Sequence, residues 1–178
     1  RKSTVEEAWP GDIVGLPDNG IFKIGDTLTE GDMLHFRGLP SFSPELIKYI
    51  ENDDPMKSKQ FQKGLEQLMN EGVAQLFVNQ FNNRRIVGTV GQLQFEVIQY
   101  RLEHEYNARC RWEPVHLHKA CWIEADSEEE LERFKKRKYQ YMAKDIEGRD
   151  VFLADSGYVL SMAQQDFEHV KFHFTSEF

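Results

Sequence analysis

The chain is poor in the residues that most often announce chemistry. It has two cysteines, Cys110 and Cys121, in 178 residues, and they form no CxxC pair. One disulfide at most could form, and two free thiols in a reducing compartment is the preferred reading. No apolar run approaches the ~20 residues that span a bilayer. The opening Arg1–Thr4 is polar, with no apolar signal core behind it. A cytoplasmic protein with no membrane partner is therefore expected. Cations are outnumbered, 22 Lys and Arg against 30 Asp and Glu, for a net charge of −8. That balance disfavours free duplex nucleic acid as the main partner, because phosphate binding needs clustered cations, but it leaves room for a contact through a local basic patch. No GxxxxGK[ST] occurs, so a phosphate-binding loop of the P-loop type cannot be built. Gly88-Thr89-Val90-Gly91 is too short and apolar to replace it.

What is present suits a packed core: 40% hydrophobic and 12% aromatic residues, the balance of a globular chain. The first ~36 residues are punctuated by Pro10-Gly11, Asn19-Gly20, Gly25-Asp26 and Gly31-Asp32, with short β-prone pieces at 13–16, 21–24 and 33–36. Three such strands are too few to close a barrel. With no initiating Met, they read as the end of a domain that begins upstream. The expected division is 1–38, the tail of a β-barrel, and 39–178, an α/β sandwich, with a boundary at Gly38–Ser41.

From there the rhythm is βαββαβ. Leu46–Ile50 is an expected strand. Met56–Glu71 is an expected helix, with Phe61, Leu65, Leu68 and Met69 on one face, Pro55 in its first turn and Gly72 at its stop. Val73–Asn79 and Arg84–Val90 are strands joined through Asn82-Asn83. Gln92–Glu105 is a helix with Phe95, Ile98 and Leu102 on one face. Ala108–Ile123 reads as one extended stretch whose apolar parity flips at Pro114, the mark of a bulge or bend. A C-terminal α/β extension follows: a helix over 127–138 opened by a capping-box pattern, Ser127 with Glu130, a strand at 151–154, a helix at 157–167 and a last strand at 170–174. No internal repeat of fixed period is found. The fold class is α+β: partial β-barrel strands, a ferredoxin-like βαββαβ domain, and the extension.

Candidate chemistry is thin. His116 and His118 alternate on one strand face, as metal ligands can, but no third ligand has a recognisable spacing, and that face is the solvent side opposite Val115 and Leu117. Cys110 and Cys121 fall on the apolar parity of their strands, which favours buried, inert thiols over nucleophiles. The exposed acids Asp53-Asp54 and Glu103/Glu105 read as solvated surface. The one basic cluster is Lys135-Lys136-Arg137-Lys138. It ends a helix that begins Glu128-Glu129-Glu130, which the helix dipole favours, yet four consecutive cations exceed that need. An RNA- or ribosome-facing patch is the alternative, and Arg84, Arg85, Arg109 and Arg111 could extend it. A free-standing ferredoxin-like enzyme using His116, His118 or Cys110 is the reading from another class.

Three stretches resemble the C-terminal half of the release factor 3 family of bacterial translational GTPases. Ala8–Leu16 with Ile24–Leu28 is similar to the end of the barrel domain shared by all translational GTPases. Phe42-Ser43-Pro44-Glu45, Lys57-Ser58-Lys59-Gln60 and Lys63-Gly64-Leu65 resemble the start of the family's third domain. The specific stretch runs from Gly72–Phe77 through Gly88–Val97, where Gly91-Gln92-Leu93-Gln94 opens the helix in place of the Gly-Glu-Leu-His type run of elongation factor G. An elongation factor G relative is the nearest alternative. The resemblance implies a full-length protein that binds GTP and Mg through a GTPase domain in cis. Such a protein acts on the ribosome and promotes dissociation of class I release factors. It implies for this chain no cofactor and no catalytic site, a ribosome-binding and coupling role, and the small ribosomal subunit, its RNA and proteins, as partner.

Overall fold

The computed structural model describes residues 41–177. The barrel-end strands expected within 1–38 lie outside the described residues.

The strand and helix signals from Leu46 onward produce the expected succession. Strand β1 is Leu46–Asn52, helix α1 Ser58–Asn70, β2 Gln75–Asn79, β3 Arg85–Thr89, α2 Gln92–Tyr106 and β4 Cys110–Pro114. A single 3-10 turn, Pro55–Lys57, leads into α1, with Asp54 accepting from the Met56 amide. Gly72 stops the helix at φ 82, and Asn83 carries φ 62 in the β2–β3 turn, a conformation that Asn tolerates through its short polar side chain. The amphipathic face of α1, Phe61, Leu65, Leu68 and Met69, packs with Phe95, Ile98 and Leu102 of α2 over Ile50, Val87 and Cys110 of the sheet. At Gly64 the two helices touch: a Cβ there would come within 2.7 Å of the Tyr106 ring and 2.8 Å of Leu102.

The stretch expected as one strand with a bend at Pro114 is two strands. β4 ends at Pro114, and β5, Lys119–Ala125, pairs elsewhere in the sheet. Pro114 has no amide to donate and closes the β1–β4 ladder opposite Lys48. The parity flip therefore marks the chain leaving one strand for another. After β5 come α3 (Glu128–Arg137), β6 (Met142–Asp145), β7 (Asp150–Ala154), α4 (Gly157–Asp166) and β8 (Val170–His173). β6 is the one strand that the sequence pattern did not announce.

All eight strands form one sheet in the order β4-β1-β3-β2-β6-β7-β5-β8, every neighbour antiparallel. That order reads the same from either edge. β5-α3-β6-β7-α4-β8 is a second βαββαβ unit, joined to the first through β2 and β6, so the expected extension is a structural duplicate of what precedes it. Local geometry repeats as well. Two residues beyond Thr89 and Ala154, the helix N-caps Gly91 and Ser156 have φ/ψ of −151/159 and −154/162. Four, seven and eleven residues beyond those caps lie Phe95, Ile98, Leu102 and Leu160, Ala163, Phe167, all buried. The β2–β3 and β6–β7 turns match too. Asn79 Oδ1 accepts from the Phe81 and Asn82 amides, and Asp145 Oδ1 accepts from those of Glu147 and Arg149.

Each half buries its own helices on the same face of the sheet, the second around Phe134, Phe152, Phe167, Cys121 and Ile123. A third cluster, Phe77, Ile86, Ala120, Trp122, Ala143, Val151 and Leu153, lies on the opposite face across the seam. Trp122 Nε1 there donates to Asp145 Oδ2 at 2.9 Å, which Arg149 also holds at 2.7 Å.

The Gln94 side chain fixes the entry to α2. Its Oε1 accepts from the Val90 and Gly91 amides, both at 2.9 Å, and its Nε2 donates to Val73 O at 2.8 Å. Two amides of the strand-to-helix corner are thereby satisfied and the corner is tied to the segment that leads from α1 into β2. Gln94→Ala is expected to destabilise the chain by about 1–2 kcal/mol, read as a lower midpoint in urea with an unchanged slope. An unchanged midpoint would remove Gln94 from this role.

Candidate functional site

The eight cations singled out from the sequence do not form one patch. Arg84 and Arg111 belong to a network on the helix-free face. Arg84 bonds Glu51 at 2.7 Å and Glu113 at 2.8 Å, and its guanidinium lies 3.6 Å over the Tyr49 ring. Arg111 bonds Asp53 at 3.0 Å and Glu113 at 3.5 Å. The Arg84 hydrogen bond, helped by its charge and by Arg111, holds the Glu113 carboxyl below the usual carboxylate range. Its charge is thus kept at neutral pH and lost only as pH falls through that lowered value. Two cations neutralised by three acids offer little to a phosphate. Arg85 sits on the helix side of β3, 5.7 Å over the Phe61 ring. Arg109 is exposed just ahead of β4, where its carbonyl accepts from the Asp53 amide.

The tetrad at the end of α3 is different. Ser127 Oγ accepts from the Glu130 amide at 3.1 Å and starts the helix. The reciprocal half of the expected capping box is absent: the Glu130 carboxylate turns to Arg133 instead, at 2.7 Å. Phe134, on the buried face, rotates its neighbours outward. Lys135 reaches Glu132 and Asp150, both at 3.4 Å. Lys136 and Arg137 are exposed and Lys138 half-buried, and among the described residues none of the three is ion-paired. Arg137 lies 5.9 Å over the Phe167 ring.

Directly after Lys138 the chain makes a 3-10 turn, Tyr139–Tyr141. Tyr139 meets Phe81 of the β2–β3 turn edge-on, with centroids 5.8 Å apart, and its hydroxyl donates to Gln80 O at 2.8 Å. Gln80 N donates in turn to Met142 O. Both rings remain open to solvent, Phe81 at 57% and Tyr139 at 49%. Sequence reasoning missed this pair, because its members lie in different halves of the fold. The only available signal was an aromatic residue immediately following a basic run.

The remaining candidates fall as expected from parity. His116 and His118 are exposed, and no group of three or more potential metal ligands occurs among the described residues. Cys110 and Cys121 are buried in separate helix-side clusters and are unpaired. Burial pushes the Cys110 thiol up to about 12, with the Glu103 and Asp53 carboxylates adding to it, and burial alone does the same for Cys121. Thiolate is the reacting species. Neither cysteine should therefore react with a thiol-specific disulfide reagent at pH 8 on the timescale of free cysteine, and both should do so at once in denaturant. Rapid labelling of one thiol in the native chain would contradict this. No helix among the described residues is long and apolar enough to cross a membrane.

Fold and surface together define a mixed α+β module with a polarised basic and aromatic end. A family model described as the class II release factor RF3, C-terminal domain, matches residues 36–164. The match covers well over half of the chain, which belongs to that family, and its place is therefore in translation termination. The Gly91-Gln92-Leu93-Gln94 corner, the feature most specific to the resemblance, lies within the matched range.

Proposed function

We propose that this chain is the ribosome-docking and coupling part of a release factor 3, and that it has no catalytic site or cofactor of its own. In the full-length protein a GTPase domain in cis, loaded with GTP and Mg, would supply the energy and timing. This part would carry the resulting movement onto the small ribosomal subunit, so that class I release factors dissociate. Family membership over residues 36–164 is the observation that carries the reading. The surface is compatible with it: Lys136, Arg137 and Lys138, none of them ion-paired among the described residues, gather at the end of α3, while Arg84 and Arg111 are occupied within the fold. A continuous eight-stranded sheet suits a part that transmits displacement without bending, since its two halves share one hydrogen-bonded ladder.

The test uses the full-length protein. Reversing Lys136, Arg137 and Lys138 to Glu is expected to slow dissociation of a class I release factor from post-release ribosomes, while GTP binding by the free protein is unchanged. Normal dissociation by that variant would overturn the reading of this surface.

A further inference from the structure

The open Phe81–Tyr139 pair and the unpaired cations beside it call for a partner that satisfies both. Aromatic rings at the surface offer stacking faces, and cations with no acid nearby offer phosphate contacts; single-stranded RNA is the ligand that uses the two together. We propose that the end of the sheet seam formed by Phe81, Tyr139, Lys136, Arg137 and Lys138 is a site for an unpaired RNA base and its flanking phosphates. The proposal rests on the ribosome-docking reading and names the chemistry of the contact.

Several features support RNA over an acidic protein. The rings meet edge-on, so the pair does not close on itself, and one face can receive a base. The Tyr139 ring is held by its hydroxyl on Gln80 O, and the backbone that carries Phe81 by its amide on Asn79 Oδ1 at 2.7 Å. A preset platform loses little freedom on binding. The turn that carries Phe81 also presents Asn82 and Asn83, amides of the kind that hydrogen-bond to base edges, on the same short segment. Lys138 is contiguous with Tyr139, and Lys136 and Arg137 are exposed on the last turn of α3 just before it, so a backbone running along the end of α3 would bring its base to the rings. The equivalent turn of the second half has Glu147 where the first has Phe81. The duplicated fold therefore builds the platform once.

The probe is a fluorescein-labelled twelve-nucleotide oligouridine, titrated with the full chain at several salt concentrations, in parallel with sedimentation on small ribosomal subunits. Phe81→Leu and Tyr139→Leu keep apolar bulk and remove stacking, and Tyr139→Phe keeps the ring. Each Leu variant should bind the oligonucleotide about 5- to 100-fold more weakly with little change in salt slope. Tyr139→Phe keeps the stacking face and loses the bond to Gln80 O, so it should bind more weakly than wild type but clearly more tightly than Tyr139→Leu. Lys136→Gln/Arg137→Gln/Lys138→Gln should flatten the salt slope by about two. Thermal melts confirm that each variant is folded. If one Leu variant has unfolded, the other decides whether a ring stacks the base, and the triple Gln variant decides whether the cations carry phosphate contacts. Equal binding of polyglutamate and oligouridine would assign the surface to acidic protein and overturn the proposal. Leu variants that lose nothing would overturn it as well. Should they lose oligouridine yet sediment normally with subunits, the RNA site stands and its use in docking fails. Should the wild-type chain bind subunits and not oligouridine, the docking reading stands and this proposal fails.

Discussion

Phe134→Ala should destabilise the chain by about 3–5 kcal/mol, the range for removing a fully buried aromatic ring from a packed core. Phe134 has no exposed surface. Its ring meets Phe152, Phe167 and Phe172 edge-on, at centroid distances of 5.4, 4.9 and 5.6 Å. Such pairs add to the area term, so three lost at once place the expected cost toward the upper end. The Arg133 and Arg137 guanidiniums lie over Phe167 at 5.1 and 5.9 Å, so collapse at Phe134 also displaces the ring on which they rest. A domain of ordinary stability has about 5–15 kcal/mol in total. The variant should therefore melt on the order of 10 °C lower, and Phe134→Leu should lose less than half as much. A melting temperature within a degree of wild type would show that this cluster does not hold the second half together.

Charge reversal at Lys136, Arg137 and Lys138 should have the opposite signature, with a small stability cost and affinity for small subunits at least about tenfold lower near physiological salt. Among the described residues none of the three has an acidic partner, so the cost is confined to the Arg137 contact with Phe167 and to the reversed charge at the α3 C-terminus, about 1–2 kcal/mol together. Binding through phosphates, in contrast, loses roughly 0.7–0.9 units of salt slope for each contact removed. Arg111→Gln serves as the comparison: it removes a cation already spent on Asp53 and Glu113 and should leave affinity within about twofold. Equal losses from both variants would mean that overall charge acts, and that the α3 terminus has no special standing.

Much of the first half was legible because its signals are local and agree with one another. The Phe61-Leu65-Leu68-Met69 stripe, Gly72 at positive φ and the Gly91 corner each name an element end or face without reference to anything distant. The Ser127 cap and the acid-to-base gradient along α3 were legible for the same reason. β6 was not. Met142-Ala143-Lys144-Asp145 is four residues with no clear alternation, and its two ladders are what make it a strand. Nor was the duplication, since the halves share burial and spacing where they do not share residues: Phe95 corresponds to Leu160, Ile98 to Ala163 and Leu102 to Phe167. Of the basic candidates, the sequence exposes the run at 135–138 but hides the fate of Arg84 and Arg111. Glu51 and Glu113 reach Arg84, and Asp53 reaches Arg111, only once β1, β3 and β4 are side by side. The Phe81–Tyr139 pair is hidden for the same reason, being made by the seam between β2 and β6.

One measurement bears most directly on docking without nucleotide: equilibrium sedimentation of the chain with purified small ribosomal subunits, with no nucleotide present, across a salt series. The expected result is saturable binding whose affinity falls linearly with the logarithm of salt concentration, that is unchanged by added GTP, and that is lost in the Lys136→Glu/Arg137→Glu/Lys138→Glu variant. Absence of binding at low salt, or binding that appears only when GTP is added, would contradict it.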